Sequence, residues 1–179
     1  MSAFAVRSGG TEDVDAVARL HIAAWVETYT GLLPDTVLQE ISVAGRTALW
    51  QRVLADSRSA VLVAECAGAL AGFSACGPQR SEALAQQGYD GEITAIYVLR
   101  RFQRRGIGRA LMAAASEALG MRSFNAAGLW VLDRNEQARR FYERRGGVVV
   151  GTRTDSVGGI IVNEVAYAWR DLEALRASG

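Results

Sequence analysis

The sequence of 179 residues contains no lysine, one histidine (His21) and two cysteines (Cys66 and Cys76). Without lysine, the chain cannot form the G-x-x-x-x-G-K-[ST] loop of P-loop nucleotide-binding proteins. A single histidine and the lack of a C-x-x-C pair argue against a metal site, so no metal is predicted. Both cysteines lie in apolar segments typical of strands, which favours buried side chains over catalytic nucleophiles.

The sequence also has no large excess of positive or negative charge and no long apolar run. The formal net charge of +1 argues against a general polyanion-binding role. No apolar stretch reaches the ~18 residues of a spanning helix, and residues 1–7 do not resemble a signal peptide. All 20 basic residues are arginine and alanine is abundant, which is typical of a GC-rich genome. We therefore expect a soluble, cytoplasmic, bacterial protein.

Hydrophobic periodicity and turn residues predict one α/β domain over residues 1–179. The predicted strands are 4–7, 60–65, 70–76, 92–98, 128–132, 148–154 and 160–169, with residues 155–159 connecting the last two. The predicted helices are 12–29, 35–56 with a break near Ser42, the segment from the basic turn to about residue 119, and 136–145, with a helical turn within 81–87.

Residues 92–112 are the most informative segment, because a strand leads through a basic, glycine-containing turn directly into a helix. Free backbone N–H groups and the helix dipole attract anions at such a helix start. Gly106 and Gly108 allow a phosphate to approach the backbone closely. A dinucleotide-binding fingerprint would need a third glycine where Leu111 stands. Three arginines add donors suited to phosphate oxygens, namely Arg104, Arg105 and Arg109. The segment predicts a site for a pyrophosphate-bearing cofactor.

Residues 103–108 (QRRGIG) closely resemble the acetyl-CoA-binding turn, Q-x-x-G-x-G, of the GCN5-related N-acetyltransferase (GNAT) superfamily. Residues 135–146 (NEQARRFYERRG) are similar to the N-x-x-A-x-x-F-Y-x-x-x-G segment of the same family. With the order of predicted elements, the resemblance covers essentially the whole chain. It implies a single-domain α/β fold with a mixed, mostly antiparallel sheet, helices on both faces, and acyl-CoA bound at a splay between two central strands.

The resemblance further implies an enzyme that transfers the acetyl group of acetyl-CoA to an amine of a small molecule or peptide. The amine would attack the thioester directly, through a tetrahedral intermediate. Asn135 would contact the cofactor, although it is also suited to cap the helix that begins at Glu136. The implied cofactor-binding residues are Ile96, Tyr97, Val98, Gln103, Arg104, Arg105, Gly106, Ile107, Gly108, Arg109 and Asn135.

Three residues are candidates for catalysis. By resemblance, the Tyr142 hydroxyl protonates the departing thiolate, and the Val98 N–H stabilises the oxyanion. The acceptor amine is mostly protonated at neutral pH and must lose a proton. Glu92 stands where some family members place the general base, and strand alternation puts it on one face with Thr94, Ile96 and Val98. An exposed strand-end carboxylate is the alternative for Glu92, and Glu27, Glu82 and Asp133 are the other candidate bases.

His21, Trp25 and Tyr29 recur every four residues and therefore share one face of the first helix. The simpler explanation is that they pack on the sheet. In the family, the corresponding helix and the following loop wall the acceptor pocket, which would let Trp25 and Tyr29 contact the amine.

Two other functions remain open from the sequence alone. One is a non-catalytic sensor that binds coenzyme A, and the other is a nucleic-acid-binding protein that uses the cluster Arg100–Arg109. A homodimer paired through residues 160–169 is also a candidate assembly.

Overall fold

The secondary structure follows the predicted order, with a short helix added near the C-terminus. A computed structural model describes residues 4–177 of the chain. Its strands are β1 (Phe4–Ser8), β2 (Ala60–Cys66), β3 (Ala69–Pro78), β4 (Gly91–Val98), β5 (Ala127–Leu132), β6 (Val148–Val157) and β7 (Ile160–Trp169). Its α-helices are α1 (Val14–Tyr29), α2 (Asp35–Gln39), α3 (Val43–Ala55), α4 (Glu82–Ala85), α5 (Ile107–Gly120), α6 (Glu136–Arg144) and α7 (Leu172–Ala177).

The strands form one sheet in the spatial order β1-β2-β3-β4-β5-β7-β6. Neighbouring strands are antiparallel, except that β4 and β5 run parallel and are connected through α5. A parallel pair needs such a crossover, whereas antiparallel neighbours can be joined by short turns. The predicted mixed, mostly antiparallel sheet is confirmed.

Helices cover both faces of the sheet, as predicted. Leu111 of α5, Tyr142 of α6 and Leu175 of α7 belong to one buried cluster. Val17 of α1 and Trp50 of α3 belong to a second cluster, which packs against the other side of β2 and β3. The sheet therefore has an α5 face and an α1 face. None of the helices within residues 4–177 is long and apolar enough to cross a membrane.

The helical region predicted over residues 35–56 is divided as expected. The Ser42 hydroxyl accepts a hydrogen bond of 3.0 Å from the N–H of Gly45. Ser42 thereby satisfies one of the free N–H groups at the start of α3. The break near Ser42 is confirmed.

The predicted connection at residues 155–159 is wrong. Strand β6 continues to Val157, and only Gly158 and Gly159 form the turn to β7, with φ of 55° and 75°. Two successive positive φ values suit a tight hairpin, because they match the twist of the paired strands. Asp155 and Ser156 are polar like loop residues, but they lie on an exposed strand at the edge of the sheet.

The dimer predicted through residues 160–169 stays a prediction, and the sheet limits which part of that strand could form it. Residues 164–169 of β7 pair with β5 on one side, and β6 lies on the other side of β7. Residues 164–168, which are bonded on both sides, have no free edge for another chain, whereas residues 160–163 pair with β6 and not with β5. The free edge at this end of the sheet belongs to β6.

Candidate active site

Strands β4 and β5 separate soon after they meet. Their pairing is limited to Gly91 with Ala127 and Glu92 with Gly128. Beyond these pairs, β4 stays bonded to β3 and β5 stays bonded to β7. A gap therefore opens in the middle of the sheet, which confirms the predicted splay between two central strands.

The backbone of β4 presents polar groups to this gap. The N–H of Leu99 donates to the carbonyl of Ala71 on the β3 side at 3.0 Å. Successive backbone groups of a strand point to opposite sides. The N–H groups of Ile96 and Val98 therefore point away from β3, toward the gap.

A bulge in β4 overturns the predicted alternation of its side chains. Ala75 pairs with Ala95, but the next residue of β3, Cys76, pairs with Ile93, which leaves Thr94 as the extra residue. A bulge shifts all later side chains to the other face. Ile96 and Val98 consequently pack toward the α5 face. The prediction that Glu92 shares their face is wrong, because Glu92 precedes the bulge.

The basic turn at the end of β4 has the geometry expected of an anion cradle. Arg104 and Gly106 both adopt left-handed backbone conformations, with φ of 59° and 85°. The helix α5 starts at Ile107 without a side-chain cap. Its first N–H groups have no partner among the described residues, so they stay available to a ligand. Arg104, Arg105 and Arg109 are exposed and form no ion pair with the described part of the chain.

Gly108 lies where the turn meets the gap. A Cβ atom at this position would be 3.5 Å from the Phe141 ring and 3.9 Å from Val98. Both are ordinary contact distances, so the protein itself leaves room for a side chain there. Ile107 differs, because its side chain is buried in the core and only its backbone reaches the turn.

The Gln103 side chain stabilises the turn through two hydrogen bonds. Its Nε2 donates to the carbonyl of Val98 at 3.0 Å, and its Oε1 accepts from Nε2 of Gln137 at 2.8 Å. Gln103 thus connects the end of β4 to α6. Nothing in the sequence pattern indicates Gln137, because the contact depends on how α6 packs.

Asn135 forms the predicted helix cap. Its Oδ1 accepts from the N–H of Ala138 at 3.2 Å, and the residue is buried. Its side-chain Nδ2 has no partner among the described residues, so the amide retains a donor for a ligand.

Tyr142 is buried among the rings of Phe141, Tyr167 and Trp169. Burial raises the pKa of its hydroxyl, and the nearby Tyr29 raises it further. The hydroxyls of Tyr29 and Tyr97 are 3.3 Å apart, and burial raises the pKa of both. These hydroxyls hold their protons at neutral pH and can serve as donors.

His21 belongs to the core rather than to a proton-transfer site. Its Nδ1 accepts a hydrogen bond of 3.2 Å from the indole Nε1 of Trp50. Burial, helped by the positive charge of Arg46, lowers the pKa of His21 to about 3. The imidazole is therefore neutral at physiological pH.

Glu92 is buried beside the gap and paired with Arg80. Its Oε1 accepts from Nη2 of Arg80 at 2.7 Å, and its Oε2 accepts from the Nε and the backbone N–H of the same arginine. Among the other candidate bases, Glu27 binds the backbone N–H of Arg100 at 2.7 Å, and Glu82 binds Gln86 on the surface. Glu92 lies in the last residue pair that joins β4 to β5, and Asp133, half-buried directly after β5, stays an alternative base.

A cavity of about 340 Å³ adjoins Glu92. Two ion pairs line it: Arg80 with Glu92, and Arg153 with Glu164, each at 2.7 Å. The Arg153 guanidinium also lies 4.3 Å from the ring centroid of Trp130. The residues that line the cavity are Arg80, Ser81, Glu92, Ile93, Thr94, Trp130, Arg153 and Glu164. No sequence pattern indicates Trp130 or Glu164 as site residues, because only the sheet order brings β7 beside β5.

The described residues give little support for a cysteine nucleophile or a metal site. Cys76 donates to the carbonyl of Ala115 at 3.6 Å, and burial raises the pKa of its thiol to about 12. Such a thiol is a poor nucleophile at neutral pH. Within residues 4–177, no three His, Cys, Asp or Glu side chains are grouped so that they could hold a metal ion.

Comparison of the fold with solved structures gives matches over nearly the whole chain. PaiA N-acetyltransferase from Thermoplasma acidophilum, solved with coenzyme A, has a TM-score of 0.68, is 18% identical and covers 90% of this chain and 98% of its own. YncA from Salmonella typhimurium, solved with acetyl-CoA, has a TM-score of 0.71, is 17% identical and covers 94% of each chain. At these identities, the likeness establishes the fold alone.

Comparison of sequences identifies the family. The sequence model of the Acetyltransferase (GNAT) family matches residues 17–147. The uncharacterized N-acetyltransferase YuaI of Bacillus subtilis is 34% identical over 172 residues, which are 96% of this chain and 95% of YuaI. An uncharacterized N-acetyltransferase of Archaeoglobus fulgidus is 32% identical over 137 residues, which are 76% of this chain and 88% of that protein. The predicted family and acyltransferase class are confirmed, and the chain belongs to the GNAT family of acetyltransferases.

Proposed function

We propose that the protein transfers the acetyl group of acetyl-CoA to an amine of a small molecule or peptide. The observation that carries this proposal is the position of the gap between β4 and β5, directly beside the uncapped turn at residues 103–109. One end of the ligand meets free N–H groups and arginines, and the other meets the unpaired backbone of β4. The same fold holds coenzyme A in PaiA and acetyl-CoA in YncA.

In this proposal, the pyrophosphate binds the N–H groups at the start of α5 and the side chains of Arg104, Arg105 and Arg109. The pantetheine arm enters the gap and pairs with the backbone around Ile96–Val98, like an added strand. Asn135 contributes its free Nδ2 donor. Gln103 acts on the site through its bond to the Val98 carbonyl, which keeps the end of β4 in place.

The proposed reaction is a direct attack of the neutral amine on the thioester carbonyl. The C–N bond forms, and the carbonyl oxygen becomes an oxyanion that accepts a hydrogen bond from the Val98 N–H or from the Ile96 N–H deeper in the gap. Collapse of the intermediate breaks the C–S bond, the thiolate takes the proton of the Tyr142 hydroxyl, and the phenolate regains a proton from the nitrogen, which loses it as the amide forms. Most of the rate enhancement would come from positioning and from the oxyanion donor.

Glu92 is proposed to receive the proton of the amine through a water molecule in the adjoining cavity. The ion pair with Arg80 occupies both carboxylate oxygens, so an approach through water fits the site better than direct contact. Each carboxylate oxygen has two lone pairs, which leaves acceptor capacity beside Arg80.

An assay of thiol release from acetyl-CoA with a panel of amines tests this function. We expect turnover with at least one amine, and a strong loss in the Tyr142→Phe variant. Saturable binding of acetyl-CoA without turnover of any amine would instead favour a coenzyme A sensor. A steeply salt-dependent affinity for DNA or RNA, with none for acetyl-CoA, would favour the nucleic-acid-binding alternative.

A further inference from the structure

Arg46 is a half-buried arginine without an anionic partner. It lies on α3, and its Cζ is 5.6 Å from the ring centroid of Trp25. Its guanidinium forms no hydrogen bond or ion pair with the described residues 4–177, and its backbone N–H donates to the carbonyl of Ser42 at 3.1 Å. By contrast, Arg7, Arg80 and Arg153 each bind a carboxylate. A partly desolvated guanidinium without a counter-charge is costly, and burial accordingly lowers the pKa of Arg46.

The indole of Trp25 offers a second donor without a partner. Its Nε1 is buried and has no hydrogen-bond acceptor within the described part of the chain. A buried donor left unpaired costs about 1–3 kcal/mol, so native proteins usually pair such groups. The side chains of Arg46 and Trp25 therefore place two unsatisfied donors close together on the α1 face. We call this pair of side chains the Arg46–Trp25 corner.

This corner is connected to the reaction site by aromatic contacts. The rings of Trp25 and Tyr29 are 4.3 Å apart, and the Tyr29 hydroxyl lies 3.3 Å from that of Tyr97 on β4. The charge of Arg46 acts on Tyr97 and favours ionisation of its hydroxyl. The corner thus lies beside the gap on the α1 face, opposite the side that α5 and α6 cover.

We infer that the acceptor amine carries a carboxylate, which Arg46 and the Trp25 indole N–H bind while the amine faces the thioester. This inference rests on the proposed acetyltransferase function. A carboxylate supplies acceptors for both free donors and a counter-charge for the guanidinium. The same cation repels polyamines and other acceptors that bear only positive charge. Amino acids, or peptides whose amine and carboxylate lie close together, are the substrate class that fits.

Matched acceptors that differ only in the carboxylate test the inference. Thiol release from acetyl-CoA would be measured with each of the twenty proteinogenic amino acids and with its carboxamide, alongside spermidine and kanamycin. We expect at least one free acid to be turned over with a kcat/KM about tenfold or more above that of its amide. Turnover of spermidine, kanamycin or the amides in preference to every acid would overturn the inference.

The variant Arg46→Gln keeps a hydrogen-bonding side chain but removes the charge. We expect it to lower kcat/KM for the preferred acid about 10- to 100-fold, which is the range for losing a charge-assisted bond, and to leave the amide within about twofold. Arg52→Gln, an exposed arginine on the same helix, is the matched control and should match the wild type. An equal effect of Arg46→Gln on acid and amide would contradict the inference.

A binding measurement gives a result that does not depend on turnover. Ligand-observed NMR would compare N-acetylglycine with N-acetylglycinamide on the protein loaded with coenzyme A. Tighter binding of the acid by the wild type, lost in Arg46→Gln, is expected, and equal binding of the two probes would contradict the inference.

Succinyl-CoA would be compared with acetyl-CoA, because a preference for succinyl-CoA that is lost in Arg46→Gln would assign the carboxylate to the acyl group instead. Titration of each variant with acetyl-CoA separates a failure of the carboxylate inference from a failure of the proposed acetyltransferase function. Absence of acetyl-CoA binding would contradict the proposed function itself.

Discussion

Arg80 binds both carboxylate oxygens of Glu92, with its Nη2 at 2.7 Å from Oε1 and its Nε at 2.9 Å from Oε2. The backbone N–H of Arg80 adds a third hydrogen bond at 3.0 Å. The Glu92 side chain is 8% exposed and the Arg80 side chain 70% exposed. Glu92 is therefore held in one orientation at the edge of the cavity, while its partner reaches into solvent.

Substitutions at these two positions separate a general base from a structural ion pair. If Glu92 receives the amine proton, Glu92→Gln lowers kcat by about 100-fold or more, within the range for loss of an acid–base group. Arg80→Met leaves the carboxylate in place and should change kcat only a few-fold. Steady-state kinetics with the preferred amine, at saturating acetyl-CoA, give both values.

Similar losses in Glu92→Gln and Arg80→Met would show that the ion pair matters for structure and not for proton transfer. Thermal unfolding of both variants provides the control. If Glu92→Gln keeps full activity, another carboxylate or water takes the proton.

Tyr142→Phe removes one hydroxyl and keeps the ring packed against Phe141 and Trp169. We expect kcat to fall about 100-fold, because the thiolate then leaves without a proton donor, while the Kd for acetyl-CoA changes little. Burial raises the pKa of Tyr142, so wild-type kcat should not decline through ionisation of this group up to about pH 9.

Tyr167→Phe is the matched control for Tyr142→Phe. The Tyr167 ring packs against Tyr142, but its hydroxyl already donates to Glu143 at 2.6 Å and accepts from Arg139 at 3.2 Å. This variant should lose stability without a comparable loss of kcat. Equal kcat in Tyr142→Phe and the wild type would remove Tyr142 from the mechanism.

His21 gives a prediction about stability and pH. Its pKa is about 3 in the folded protein and near 6.5 when unperturbed, so the unfolded chain binds the proton first as pH falls. The free energy of unfolding should therefore be insensitive to His21 above about pH 6.5 and decrease by up to about 1.4 kcal/mol per pH unit from there toward pH 3.

Chemical denaturation between pH 4 and 8 measures this dependence. His21→Asn can keep an acceptor for the indole N–H of Trp50 but does not titrate, so its stability should fall less steeply below pH 6.5. Parallel slopes for the wild type and His21→Asn would contradict the assignment of a neutral, buried imidazole.

Most of the fold and the glycine-containing turn at residues 103–109 could be predicted from the sequence, because local signals determine them. Alternating and helical hydrophobic periods locate the strands and helices, and Ser42 marks a cap. The spacing of Gly106 and Gly108 marks the turn before α5. These features depend on neighbouring residues alone, so no knowledge of distant contacts is needed.

The features that escaped prediction depend on pairing between distant segments. Thr94 has no property that marks a bulge, since the extra residue appears only in the register with β3. The bulge reverses the faces that simple alternation assigns to Glu92 and Val98. Arg46 likewise looks like any helical arginine, and its lack of an anionic partner appears only once α3 packs beside Trp25.

Binding of acetyl-CoA tests the central claim most directly, and Gly108 is the position at which to interfere with it. A side chain at Gly106 would strain the backbone whatever its size, because φ there is +85°. Gly108 has room for a Cβ atom, and the larger side chain of Gly108→Leu would extend into the space between Phe141 and Val98. Gly120→Leu, at the other end of α5 with no atom within 4 Å of its Cβ position, is the matched control.

Isothermal titration with acetyl-CoA of the wild type and of both variants, each shown to be folded by circular dichroism, is that measurement. We predict saturable binding by the wild type and by Gly120→Leu, and binding weakened about 100-fold or more in Gly108→Leu, as expected when a bulky group fills a ligand's path. Absence of binding by the folded wild type, or unchanged affinity in folded Gly108→Leu, would contradict the assignment of the gap between β4 and β5 as the acetyl-CoA site.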